Sequence, residues 1–246
     1  FIENNSAKGP TLVIVGFGLG VWIGGIITYE AFDILSQRKN HPVSIITPGI
    51  NKGEIFKALK KLSPRFSSTI LVGYPPFIKD IFDESAGQGV DLKKINLRLV
   101  FAAEPFNEDF RQYLAVKSGI KNQFLDTMNI YGSADMGAMA SETPLSILAR
   151  KLAIKNDKLF KSIFGDIKKI PTLAQFNPAF INFESYDGEL ILTGNNTIPL
   201  VRYSIGDNGG VDTYSGIIDK IESAGFDIKV EAKKANMGLD KLSQMP

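Results

Sequence analysis

The chain has 246 residues, of which 44% are apolar and 22% charged, close to a globular average and unlike disordered, collagen-like or coiled-coil chains. A chain of this length buries roughly 70–75% of its unfolded surface, so one large domain, or one and a half, is expected. Twenty-eight basic against 26 acidic residues leave a net charge of +2 with no block of like charge, so no nucleic-acid partner is expected and a phosphate ligand needs a local site. The absence of cysteine excludes disulfides, thiolate zinc sites and cysteine nucleophiles, and it matches a reducing compartment, here the cytoplasm.

Thr11 to Tyr29 is an uncharged run of 19 residues, long enough for a membrane span. Gly16, Gly18, Gly20, Gly24 and Gly25 interrupt it, and the first three stand where a strand would turn into a helix. We therefore expect a buried strand at Thr11–Val15, a helix from Trp22 to Leu35, and no membrane partner. No cleavage site of the small-x-small kind follows the run, and the chain opens on Phe1 rather than Met, which leads us to expect that it begins inside a longer protein.

The same alternation continues along the chain. Strands are expected at Val43–Thr47, Thr69–Gly73 and Leu97–Ala102, and helices at Lys52–Leu62, Phe77–Glu84 and Glu108–Lys117, the last capped by Asn107. Strands separated by helices of about 10–15 residues predict an α/β fold with a mostly parallel sheet flanked by helices. Thr143-Pro144 is a helix start, cap and then proline at the first helical position. From about Thr172 the pattern shortens to strands at Phe180–Ser185, Glu189–Thr193 and Leu200–Ser204, with turns at Asp187-Gly188 and Asn195-Asn196. We expect an α/β nucleotide-binding lobe over 1–170, a small β-rich subdomain over 171–212 and a mixed helical tail over 213–246.

Some motifs lead nowhere. Gly16-Phe17-Gly18-Leu19-Gly20 follows a strand, but Val21 and Ile23 stand where a dinucleotide fingerprint needs its third glycine. His41, the single histidine, sits in a loop and takes no role. Gly132-Ser133-Ala134-Asp135 lacks the flanking glycines of a nucleophile elbow.

Three segments in order carry more. Val100-Phe101-Ala102-Ala103-Glu104-Pro105 ends a strand in a turn. Asn129-Ile130-Tyr131-Gly132-Ser133-Ala134-Asp135 ends another in a glycine-containing loop. Arg202-Tyr203-Ser204-Ile205-Gly206-Asp207 closes the β-rich part. Ligands of open α/β sheets sit beyond the carboxyl ends of strands, where a tyrosine can stack on a base and a carboxylate can hold magnesium.

The ordered set resembles the adenylate-forming superfamily, in its phenylacetate–CoA ligase branch, whose segments read G-A-E-P, Y-G-x-T-E and R-Y-x-x-G-D. Gly73-Tyr74-Pro75-Pro76 also resembles a segment near that branch's acyl pocket. The resemblance implies a ligase that uses ATP and Mg2+ to activate a small-molecule carboxylic acid as its acyl-adenylate and passes the acyl group to coenzyme A. It implies that Ala103, Glu104 and Pro105 line the adenine, that Tyr131 stacks on it, and that Gly132 lets backbone approach the phosphates. Asp135 takes the place of the magnesium-binding glutamate, and Asp207 that of the aspartate that holds the ribose hydroxyls. Trp22, Tyr74 and Ala102 would bound the acyl group, with ordinary core packing as their alternative.

This chain departs from the pattern in several places. Ala134 replaces a phosphate-contacting threonine, for which Ser133 can substitute. Asp135 is one methylene shorter than glutamate, and capping of the following turn is its alternative role. Ala102 replaces a glycine and should narrow the acyl site. No Ser/Thr/Gly-rich loop ending in lysine occurs, Ser6-Ala7-Lys8-Gly9-Pro10 being a poor substitute, and no G-R-x-D-D hinge follows Asp207. The residues given are therefore expected not to turn over alone. The alternatives are an adenylating enzyme with a different acceptor and a non-catalytic nucleotide-binding protein of the same fold.

Overall fold

A computed structural model describes residues 9–20, 22–39, 41–195 and 198–242. Contacts divide the chain into two compact units that meet between Asn129 and Ile130.

The first unit is built on parallel strands in the order β2-β1-β3-β4, with β1 at Thr11–Val15, β2 at Val43–Ile46, β3 at Ser68–Gly73 and β4 at Leu97–Ala102. β1 and β3 are buried at every residue, as expected of central strands covered on both faces, whereas β2 at the edge is only partly buried. Their side chains join those of the intervening helices in one core that includes Leu12, Ile14, Leu71, Leu99 and Phe101.

Those helices are α1 (Ile23–Lys39), α2 (Lys52–Lys61), α3 (Pro75–Glu84), α4 (Glu108–Ser118) and the short α5 (Gln123–Asp126). Asn51 caps α2 by accepting from the Glu54 amide at 3.2 Å, and Asn107 caps α4 by accepting from Phe110 at 2.9 Å. The apolar side of α2 places Ile55, Phe56, Ala58 and Leu59 in the core, and α3 adds Ile78, Ile81 and Phe82. Helix α3 starts at Pro75 rather than at Phe77, because proline is at home in a first helical turn. The 19-residue run resolves into β1, a glycine turn and α1, and among the described residues no helix is long and apolar enough to cross a membrane. Gly16 is needed for close approach: a Cβ there would lie 2.8 Å from the Val72 carbonyl oxygen.

Buried arginines tie α4 and α5 to the strands. Arg111 binds Glu108 at 2.8 Å and donates to Thr127 at 2.7 Å, while Arg98 binds Asp126 at 3.2 Å and the Leu125 carbonyl at 2.9 Å. Burial lowers the Arg98 guanidinium and raises the Asp126 carboxyl, each opposed by the charge of its partner. Thr127 opens β5 (Thr127–Ser133), which carries the chain into the second unit.

In the second unit β5 forms an antiparallel hairpin with β6 (Gly137–Ser141), with a bulge between Tyr131 and Gly132. A separate antiparallel sheet runs β7-β8-β9, with β7 at Ile181–Tyr186, β8 at Glu189–Asn195 and β9 at Pro199–Asn208. Met136, Met139, Ile181, Phe183 and Leu192 make the core shared by hairpin and sheet. Helix α6 (Pro144–Ala153) begins in a capping box in which the Thr143 and Ser146 side chains each accept from the other's backbone amide. It is followed by α7 (Asp157–Phe164), and the tail forms α8 (Tyr214–Ser223), α9 (Ile228–Lys234) and α10 (Leu239–Leu242). Ile217, Ile221, Ile228 and Leu242 are buried, while Ile218 and Phe226 are half-buried. The turn expected at Asn195-Asn196 lies in part outside the described residues, and Asn195 itself ends β8.

Candidate functional site

In the first unit, β4 ends at Ala102, which is half-buried, and the chain turns at Ala103 with a φ of 77°. A left-handed alanine costs about 1–2 kcal/mol, and such strain persists only where surrounding structure enforces it. Glu104 and Pro105 follow it into solvent. Tyr74, the residue before α3, is half-buried and stacks on Phe77 with ring centroids 5.7 Å apart. Trp22 is 72% exposed just ahead of α1.

In the second unit the structure brings two of the three sequence segments together. The Tyr131 hydroxyl donates to Asp207 at 2.5 Å, and the Tyr203 hydroxyl donates to Asp135 at 3.0 Å. Each segment gives one phenol and one carboxylate to the other. Burial, reinforced by the bond to Asp207, holds the Tyr131 phenol above its ordinary value, and the bond to Asp135 does the same for Tyr203.

The loop that carries these groups is set by its own chemistry. The Ser133 hydroxyl accepts from the Met136 amide at 3.1 Å and closes the turn, Met136 is buried, and Gly137 takes a φ of 73°. Gly132 is required by the hairpin itself, since a Cβ there would lie 2.4 Å from the Gly137 carbonyl oxygen. On the opposite segment, Arg202 adopts a φ of 50° and its amide donates to the Thr193 hydroxyl at 3.0 Å, so this arginine shapes β9. Tyr131 packs at the edge of the Met136–Phe183 core, its ring centroid 6.3 Å from that of Phe183. A cleft of about 300 Å³ lined by Ala138, Met139, Asn177, Phe180 and Ile181 opens beside β6; nothing in the motif pattern marks it.

Asp207 is exposed, with one carboxylate oxygen engaged by Tyr131, so acceptor capacity remains for a diol. Asp135 is exposed as well, with one oxygen engaged by Tyr203. No group of three or more His, Cys, Asp or Glu able to hold a metal ion occurs among the described residues. Magnesium is usually held by one or two carboxylates plus substrate phosphates, so Asp135 fits a cation that arrives with a nucleotide, not one held by protein alone.

The chain thus combines a mostly parallel sheet flanked by helices with a small antiparallel sheet. Two structures of 2-hydroxyisobutyryl-CoA ligase share the fold. An open conformation in complex with 2-HIB-AMP and CoA has a TM-score of 0.56 at 13% identity over 84% of this chain and 44% of that one. The postadenylation state in complex with 2-HIB-AMP has a TM-score of 0.57 at 13% identity over 84% and 40%. In sequence, the chain is 24% identical over 196 residues to the phenylacetate-coenzyme A ligase of Pseudomonas putida, 78% of this chain and 39% of that protein. No protein-family model matches. The chain thus resembles the adenylate-forming superfamily in sequence and in fold, and spans less than half the length of these relatives.

Proposed function

We propose that the chain is the nucleotide-binding part of an AMP-forming acid–CoA ligase that activates a small-molecule carboxylic acid with ATP and Mg2+ in the cytoplasm. The observation that carries this reading is the exchange of tyrosine–aspartate bonds, which fixes two exposed carboxylates on adjoining segments. In the second unit Tyr131 offers its ring to the adenine, with Gly132 and Ser133 toward the phosphates; in the first, Ala103, Glu104 and Pro105 are proposed as adenine-facing on the family pattern alone. Asp207 accepts from the ribose hydroxyls, and Asp135 faces the metal. Trp22, Tyr74 and Ala102 bound the acid. The α/β lobe over 1–170, the β-rich part over 171–212 and the tail from 213 are a division proposed from the sequence, whereas contacts divide the chain after Asn129.

The chemistry asks little covalent help of these residues. An oxygen of the acid attacks the α-phosphorus of ATP and pyrophosphate leaves, giving an acyl-adenylate; the thiol of coenzyme A, losing its proton, then attacks the acyl carbon and AMP leaves. Bound magnesium would supply charge neutralisation at the phosphates. The chain's own groups align the nucleotide: the aromatic ring sets the base, the ribose carboxylate fixes its orientation, and fixed donors and acceptors need no reorganisation as charge moves. A phosphate loop and a catalytic lysine would have to come from outside these residues, so they bind nucleotide but do not turn over alone.

Acid-dependent exchange of labelled pyrophosphate into ATP by the full-length protein tests the reading. A screen of aryl and short-chain acids should find at least one that drives exchange. Tight ATP binding without exchange for any acid would favour a non-catalytic nucleotide-binding protein. Exchange without thioester formation would favour a different acceptor.

A further inference from the structure

We infer that Tyr203 is a positioning residue that holds the Asp135 carboxylate in place for a divalent cation carried by nucleotide phosphates. The inference rests on the reading of Asp135 as the metal-facing group, and it adds a residue that this reading does not use.

An exposed aspartate at a loop samples several rotamers, and a ligand carboxylate that must be ordered at the moment of binding weakens the metal. The hydrogen bond from the Tyr203 hydroxyl to Asp135, at 3.0 Å, removes that freedom. Toward a carboxylate the phenol can only donate, so it occupies one lone-pair direction of Oδ2 and leaves Oδ1 open. Partners of this kind orient metal ligands, and their loss typically costs about 10–100-fold in metal affinity.

Both ends of the bond are anchored. Tyr203 stands opposite Leu192 in the β8–β9 ladder, and the neighbouring Arg202 amide is bound to Thr193. Asp135 sits between Ser133, which binds the Met136 amide, and Met136, which is 1% exposed. The short aspartate side chain cannot extend as glutamate does, so a donor brought up from β9 fixes where its oxygens lie. Asp207 is held the same way from the other segment by Tyr131.

The test is ATP titration calorimetry, with and without magnesium, on the full-length protein and on Tyr203→Phe, Asp135→Ala and the double variant, with near-UV circular dichroism to verify folding. The magnesium-dependent gain in ATP affinity should fall about 10-fold in Tyr203→Phe while magnesium-free affinity holds, and Tyr203→Phe should add nothing once Asp135→Ala is present. An undiminished gain in Tyr203→Phe together with a lost gain in Asp135→Ala would overturn the role of Tyr203 and leave the metal reading standing. A full gain in Asp135→Ala would remove Asp135 from the metal site and the inference with it.

Discussion

The strands of the first unit and the candidate site segments of the second are held in place by different means. In the first, parallel strands are buried on both faces and charged groups inside the fold are paired arginines, as with Arg111 and Glu108. In the second, β9 is mostly exposed, and its site residues are fixed by single hydrogen bonds between exposed or half-buried side chains. Burial makes the first unit a scaffold in which side chains are costly to change. Exposure leaves the carboxylates of the second available to a ligand, with tyrosine partners supplying the order that burial would otherwise give.

That contrast can be broken from either side. The largest effect is expected in the first unit, where Phe82 is fully buried in the core. Phe82→Ala should cost about 3–5 kcal/mol, from lost transfer energy and the cavity left behind, read by urea denaturation. Asp207→Asn should do the reverse, keeping stability within about 0.5 kcal/mol as surface changes do, but losing about 1.5–3 kcal/mol of ATP binding in calorimetry. A large stability loss in that variant would make Asp207 a structural group.

A smaller effect belongs to the α6 start, where Thr143→Ala breaks the capping box and should cost about 1 kcal/mol in a thermal melt or denaturant titration without changing ATP affinity. The smallest is a pH effect. The folded Tyr131 phenol titrates above its unfolded value near 10, so its contribution is complete below that pH and is lost as pH rises through the folded value. Wild-type stability should therefore decline more steeply than that of Tyr131→Phe on the alkaline side, and identical alkaline limbs would show that the Tyr131–Asp207 bond contributes nothing in solution.

The same contrast explains what was legible in the sequence. Thr11–Val15 and Leu97–Ala102 read correctly to the residue, because each is a mostly apolar run between breakers, interrupted in the second only by the buried Arg98. Asn107 and Thr143 announced their helices because capping is local chemistry. β6 was missed, since Gly137-Ala138-Met139-Ala140-Ser141 has no β-branched residue and is held by its hairpin partner. β9 runs four residues past its expected end, to Asn208, through polar positions that alternate weakly. The family pattern singles out the candidate segments but not their pairing: Tyr131 and Asp207 are 76 positions apart, Tyr203 and Asp135 68, and no periodicity encodes such contacts. The role of Gly132 also changes in emphasis, because the approach of Gly137 demands a glycine before any phosphate does.

The proposed role of Asp207, an exposed carboxylate that accepts from the ribose hydroxyls of an adenine nucleotide, is tested most directly by comparing ATP with 2′,3′-dideoxy-ATP by calorimetry on the wild type and on Asp207→Asn. A carboxylate that accepts from both hydroxyls should make the wild type prefer ATP by about 1.5–3 kcal/mol, and the variant should lose that preference. Equal affinity of the wild type for the two nucleotides, or a preference that survives in Asp207→Asn, would contradict it.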